Sequence, residues 1–259
     1  MKKYVYQTLI ELTNKRWSSM ILQRFVQSSI SKKLIPAYIK LYKISQSDIK
    51  KNLTQFTSLH DFFIRELKID ARSVHTEEEM VVSPVDGVIE HSGNITQSLK
   101  MIVKNKEYSV EEMLGSPEKA RQYENGTFIV IYLSPAHYHR IHSPLSADVV
   151  ANHTLGKHSY PVNEAGLKYG RAVLSKNFRK IIELRKGSKN VAMAMIGAMW
   201  VNSIEVTNDR SKWRKGEEVA YFSFGSTVVL LFEKGQFIPM LPKGDRAIQM
   251  GQAIGKLSK

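Results

Sequence analysis

The sequence predicts an α+β protein: a basic helical N-terminal region, residues 1–72, packed on a mainly antiparallel, sandwich- or barrel-like β core over residues 73–259. Three observations support this division. The first 72 residues contain no glycine and one proline, Pro36. They hold fourteen Lys/Arg against five Asp/Glu, so +9 of the formal +14 of the 259-residue chain falls in under a third of its length. From about residue 80 the texture changes to short β-rich segments punctuated by Gly, Pro, Asn and Ser.

In the basic region, Val5, Leu9 and Leu12 recur at helical spacing, as do Ile30, Leu34, Tyr38 and Tyr42. Another helix is expected to begin at Ser58, capped by that serine with Asp61 three residues on, and to bury Leu59, Phe62, Phe63 and Leu67. In the core, strands are expected at Met80–Val82, Gly87–His91, Thr127–Leu133, Asp148–His153, Lys180–Arg185, Val191–Ile196, Ser203–Val206 and Thr227–Phe232. Two short helices, Val110–Leu114 and Pro117–Arg121, interrupt them.

Composition narrows the function. With 42% hydrophobic and 24% charged residues the chain has a globular balance. The absence of cysteine excludes disulfides, thiolate metal sites and cysteine nucleophiles. No apolar run approaches the ~18 residues of a spanning helix; the longest is Val191–Val201. Glu11 and Asn14 interrupt any signal-peptide core, so the chain reads as neither membrane-spanning nor exported. The positive charge favours anionic partners. Nucleic acid is set aside because no helix-turn-helix, zinc-finger or aromatic RNA-binding signature accompanies the charge. Trp17, Met20, Ile21, Leu22, Phe25 and Val26 cluster among Lys15, Arg16 and Arg24, a mixture suited to an anionic bilayer surface. The plainer alternative is a small bundle with solvated lysines.

Chemistry concentrates in three short segments. His137, His139 and His142 lie in Ser134-Pro-Ala-His-Tyr-His-Arg-Ile-His-Ser-Pro144 with no carboxylate among them, which leaves proton transfer at least as open as zinc. Ser83-Pro-Val-Asp-Gly87 is a turn by composition, and its Asp86 can orient a histidine brought near by the fold. Phe224-Gly-Ser-Thr227 precedes the apolar strand Val228–Phe232. Together, an Asp, a His and a Ser on separate turns of one β core supply an orienter, a base and a nucleophile.

These blocks, with Ile196-Gly-Ala-Met-Trp-Val-Asn-Ser-Ile204 and Thr57-Ser-Leu-His-Asp-Phe-Phe-Ile-Arg-Glu-Leu67, resemble the phosphatidylserine decarboxylases in content and order. The resemblance runs from about residue 55 to 232. Two positions depart from the pattern: Ala220, where a glycine often stands, and Phe178, where an acidic residue is usual. Neither removes a group of the proposed chemistry.

The resemblance implies a self-processing enzyme. Asp86 would accept a hydrogen bond from His142, which takes the proton of Ser226; the alkoxide attacks the Gly225 carbonyl, and elimination from the ester cuts the chain at 225/226. The β chain, 1–225, and the α chain, 226–259, remain associated, and loss of ammonia converts Ser226 into a covalently bound pyruvoyl group. That group forms a Schiff base with the substrate amine and accepts electrons as CO2 leaves. His139 is the candidate for substrate contact or proton delivery, and no metal is required. The implied partner is phosphatidylserine in an anionic membrane, met peripherally at the cytoplasmic face of the cell membrane; a homodimer is compatible. Two alternatives stay open: a serine hydrolase using Asp86, His142 and Ser226 on an external ester, and a lipid-binding module without chemistry.

Overall fold

The computed structural model describes residues 16–162, 166–167, 172–198, 204–223, 226–242 and 246–258. Its helices are α1 (Arg16–Gln27), α2 (Ile35–Tyr42), α3 (Leu59–Phe63), α4 (Val110–Leu114), α5 (Pro117–Arg121) and α6 (Val173–Lys176). The strands are β1 (Met80–Val82), β2 (Gly87–Asn94), β3 (Lys100–Val103), β4 (Lys106–Ser109), β5 (Thr127–Leu133), β6 (Arg140–His142), β7 (Ala147–Leu155) and β8 (Arg179–Lys186). They continue with β9 (Lys189–Gly197), β10 (Ile204–Val206), β11 (Lys212–Trp213), β12 (Glu218–Phe222), β13 (Ser226–Phe232), β14 (Phe237–Pro239), β15 (Ala247–Ile248) and β16 (Ala253–Leu257).

An eight-stranded sheet in the order β11-β7-β8-β9-β13-β5-β2-β15 organises the core, and every pairing in it is antiparallel. One face packs on two three-stranded sheets, β1-β16-β14 and β10-β12-β6. The other packs on the β3–β4 hairpin and α4, α5 and α6. The large sheet stays open, ending at β11 and β15, so the architecture is a sandwich rather than a barrel. Central β13 shows both faces: Val228, Leu230 and Phe232 enter the first core, Val229 and Leu231 the second. All seven of its residues are buried, which is why its last five, Val228–Phe232, read as an unbroken apolar run.

The expected strands appear with small extensions; Ser203 lies outside the described residues. Both short helices begin and end as expected. Ser109 and Ser116 cap them by accepting from Glu112 N and Lys119 N.

The basic region builds its own small core from Val26, Ile35, Ile39, Ile44, Ile49, Phe56, Leu59 and Phe62. Ser58 caps α3 by accepting from Asp61 N at 3.1 Å. Leu67 lies beyond the helix end, half-buried and bridged to Ile49. The helical spacing of Ile30, Leu34, Tyr38 and Tyr42 does not mark a buried face. Ser29–Leu34 is a 3-10 helix, with three residues per turn, and the phase changes where α2 begins. Ile35 and Ile39 therefore face inward, while Ile30, Leu34 and Tyr42 are exposed. Val5, Leu9, Leu12 and Lys15 lie outside the described residues, as do the side chains of Arg16, Trp17, Met20 and Leu22. Of the remaining apolar cluster, Val26 is buried and Ile21 and Phe25 are exposed. No described helix is long and apolar enough to cross a membrane.

Candidate active site

Ser226 opens β13, paired with Leu133 on β5 and Gly197 on β9. Strand alternation gives it the face of Val228 and Leu230, so its side chain enters the layer between the large sheet and β12–β6. It is fully buried, and its Oγ finds no hydrogen-bond partner among the described residues. An unpaired buried hydroxyl costs about 1–3 kcal/mol. Phe224 and Gly225 lie outside the described residues.

Asp86 sits at the same end of the sheet, on the turn leading into β2. Gly87 lies one residue before the Val88–Tyr132 pair and so is level with Leu133, two strand spacings, or about 10 Å, from Ser226. Ser83 Oγ closes the turn on Val85 O at 2.7 Å. Glycine at 87 has a steric cause, since a Cβ there would stand 2.6 Å from Tyr132 O and 2.8 Å from Ile131 Cγ2. The carboxylate accepts from Arg72 Nε at 2.9 and 3.1 Å, from Arg72 Nη2 at 2.6 Å and from Met250 N at 2.9 Å. It makes no hydrogen bond to His142, in contrast to the sequence expectation. Arg72 Nη1 also reaches Asp48 in the basic region, at 3.0 Å.

The three histidines have distinct surroundings. His137 sits on a turn and accepts from Ser134 N through Nδ1 at 2.9 Å. His139 donates from Nδ1 to His137 O at 2.8 Å, while its Nε2 is buried and finds no partner among the described residues. Its ring lies on Phe63, with centroids 3.9 Å apart. His139 O accepts from Phe222 N at 3.0 Å, extending the β6–β12 register in which Ile141 and Ala220 face the large sheet. Alternation turns His139 toward the same layer as Ser226. His142 holds Gly216 O from Nδ1 at 2.9 Å and meets Tyr138 Oη through Nε2 at 3.0 Å. Burial, first of all, drives all three imidazoles below their ordinary range, His139 well below it, so each is neutral near pH 7. No cluster of metal-ligating side chains occurs among the described residues.

Two cavities flank these groups. The larger, about 550 Å³, is lined by Asp86, Arg72, Arg65, His137, Tyr138 and Gln249, among others. The smaller, about 210 Å³, includes His142, Glu218, Arg72, Tyr138 and Met250. Tyr138 and Arg72 thus stand between Asp86 and His142. Buried Arg65 donates from Nη2 to Ala136 O at 2.8 Å and His137 O at 2.9 Å, fixing the histidine loop to the basic region. Sequence reasoning gave no role to Arg65, Arg72 or Tyr138. Arg65 and Tyr138 do lie inside the quoted blocks; Arg72 carries no local signal, since its partners are 24 and 14 residues away. Of the two departures, Ala220 packs in the first core, and Phe178 packs beside it while accepting from Gly197 N at 2.9 Å, next to the Ser226 pairing.

Comparison with known proteins bears on this arrangement. Residues 59–256 match the family model described as phosphatidylserine decarboxylase. A phosphatidylserine decarboxylase proenzyme of Geobacillus kaustophilus (strain HTA426) is 53% identical over 239 residues, covering 92% of this chain and 90% of the relative. That of Bacillus mycoides (strain KBAB4) is 50% identical, over 90% of this chain and 89% of its own. That of Anoxybacillus flavithermus (strain DSM 21510 / WK1) is 49% identical, over 100% and 98%.

Proposed function

The chain belongs to the phosphatidylserine decarboxylase family, and from that premise we propose how it works: it decarboxylates phosphatidylserine to phosphatidylethanolamine with a carbonyl made from its own Ser226. The observation that carries this reading is the buried Ser226 hydroxyl at the head of the central strand, which has no hydrogen-bond partner among the described residues.

In the processing half, Ser226 Oγ bonds to the carbonyl carbon of residue 225 as the peptide C–N bond breaks. Elimination then frees residues 1–225, whose new carboxylate keeps the serine oxygen, and water hydrolyses the imine form of the dehydroalanine left at 226, releasing ammonia and supplying the oxygen of the new carbonyl. His142 takes the serine proton and Asp86 serves as its orienter. Alternation along β6 turns His142 to the face opposite Ile141 and so away from Ser226, and Tyr138 and Arg72 hold the two groups there, so processing requires the imidazole to turn and both groups to exchange partners. The 226–259 piece stays bound afterwards, since β13 pairs along its whole length with β5 and β9.

A pyruvoyl group fits the site: the serine that would become it is enclosed in an apolar layer, toward which the neutral imidazole of His139 also turns. When formed, it supplies the electron sink for loss of CO2. His139 turns into this layer, its Nε2 without a partner among the described residues, and handles the proton that replaces the carboxyl group. Burial keeps that nitrogen neutral, ready to accept or relay a proton without first losing one.

The basic region, residues 1–72, serves as the membrane contact. Ile21 is 61% exposed, Leu41 72% and Ile69 94%, in a region that also carries Arg24, Lys32, Lys33, Lys40 and Lys43. Such a surface holds a peripheral protein by apolar contact plus roughly 1 kcal/mol for each lysine near an anionic bilayer. The cytoplasmic leaflet supplies such a surface.

The test is the intact mass of purified wild-type protein beside Ser226→Ala. Two fragments meeting at 225/226, the smaller starting with a borohydride-reducible carbonyl, are expected in the first and one unbroken chain in the second. An intact, active wild-type chain that reacts with a fluorophosphonate at Ser226 would instead identify a hydrolase.

A further inference from the structure

We propose that Tyr138 is a positioning residue that latches His142, holding its basic nitrogen out of action until the Ser226 hydroxyl is to be deprotonated. The inference rests on the assignment of His142 as processing base and adds the group that controls it.

The hydrogen bonds fix the tautomer. Gly216 O can only accept, so His142 Nδ1 carries the ring proton. This carbonyl is held rigidly: Gly216 has φ +78, its N–H donates to Ser143 O at 2.8 Å, and a Cβ would meet Val74 at 2.7 Å. In a neutral ring the lone pair is then on Nε2, where Tyr138 Oη donates at 3.0 Å. Neutrality follows from burial, which disfavours the charged imidazole. Tyr138 in turn stays a phenol, because burial pushes its ionisation far above the ordinary range.

The nitrogen that would take the serine proton is therefore already engaged by a donor that cannot be repelled by charge. Alternation along β6 also turns the ring to the face opposite Ile141, away from Ser226, so the bond to Tyr138 must break before the imidazole can turn to the serine. Tyr138 has room to release it, since it lines both cavities. Its ring, tilted 38° to the imidazole with centroids 5.7 Å apart, leans on His142 without stacking closely. Asp86 faces this tyrosine across the larger cavity, and Glu218 shares the smaller one with His142.

Removing the hydroxyl alone should free the base. In a pulse-chase of newly made full-length chain, Tyr138→Phe is expected to cleave at 225/226 about three- to tenfold faster than wild type, the factor for one neutral hydrogen bond. His142→Ala is expected not to cleave. If Tyr138→Phe cleaves at or below the wild-type rate while His142→Ala is inert, the latch is wrong and the base assignment stands. If His142→Ala cleaves normally, the base assignment falls and the latch with it. Imidazole nitrogen NMR on the uncleavable Ser226→Ala chain tests the contact without altering Tyr138. A proton on Nδ1 of His142 is expected at pH 7, and a proton on Nε2 overturns the proposal.

Discussion

Arg72→Ala is the substitution whose effect the structure defines best. Arg72 and Asp86 are both nearly buried, at 11% and 8% side-chain exposure, and join through three short contacts. Burial pulls the guanidinium toward deprotonation, but its bonds to Asp86 and Asp48 outweigh this and hold it above its ordinary range. Deleting one partner of such a pair leaves an uncompensated buried charge, at about 3–5 kcal/mol. Met250 N still donates to Asp86, and the half-exposed Asp48 returns to water at little cost, so the lower end applies, about 3 kcal/mol. For a chain of this size that lowers Tm by roughly 6–12 °C. Thermal unfolding of the variant in a Ser226→Ala background, where the chain stays whole, is the assay. Arg72→Lys, which keeps the charge and loses the fork, should recover part of the loss. A Tm within 2 °C of the parent, or strict additivity of Arg72→Ala with Asp86→Asn, would refute the reasoning.

Four further outcomes follow from the same geometry. His139→Ala should leave cleavage at 225/226 intact and lower decarboxylation by about 10²–10⁴-fold, read as CO2 release from phosphatidylserine vesicles; loss of cleavage instead would move His139 into processing. Gly87→Ala should cost about 1–3 kcal/mol, because the new Cβ meets the backbone of Tyr132, and a variant of unchanged urea midpoint would remove the steric explanation. The buried histidines make stability pH-dependent. Their folded pKa values lie below the unfolded ~6.5, so stability is full above that pH and falls as pH drops below it, by up to about 1.4 kcal/mol per unit for each group. A urea midpoint that is flat between pH 7 and pH 5 would contradict this. Binding to anionic vesicles should weaken severalfold as salt rises from about 0.05 to 0.5 M; salt-insensitive sedimentation would mean that apolar insertion dominates.

The fold was legible wherever local chemistry sufficed. β13 declares itself by seven residues that are all buried, α4 and α5 by Ser109 and Ser116 ahead of acidic first turns, and α3 by Ser58. The failures share one cause. Ile30, Leu34 and Tyr42 keep helical spacing, yet a 3-10 segment before α2 rotates them outward, and spacing alone does not register a phase change. β6 carries no strand signal of its own, because three residues between a turn and a proline show no periodicity; only its pairing with β12 makes it a strand. Short strands of this kind owe their existence to the partner beside them.

For the site, the primary structure was enough to single out the candidate groups, a serine before an apolar strand, an aspartate on a tight turn and histidines two and three residues apart, because those identities are written locally. Which group touches which was settled by folding alone. Arg72 comes between Asp86 and His142 from one side and Tyr138 from the other, and Gly216, far along the chain, fixes the proton on the imidazole. Hydrogen bonds act over about 3 Å, whereas these partners are separated by up to 74 residues, so no reading of neighbours in the chain contains the contact.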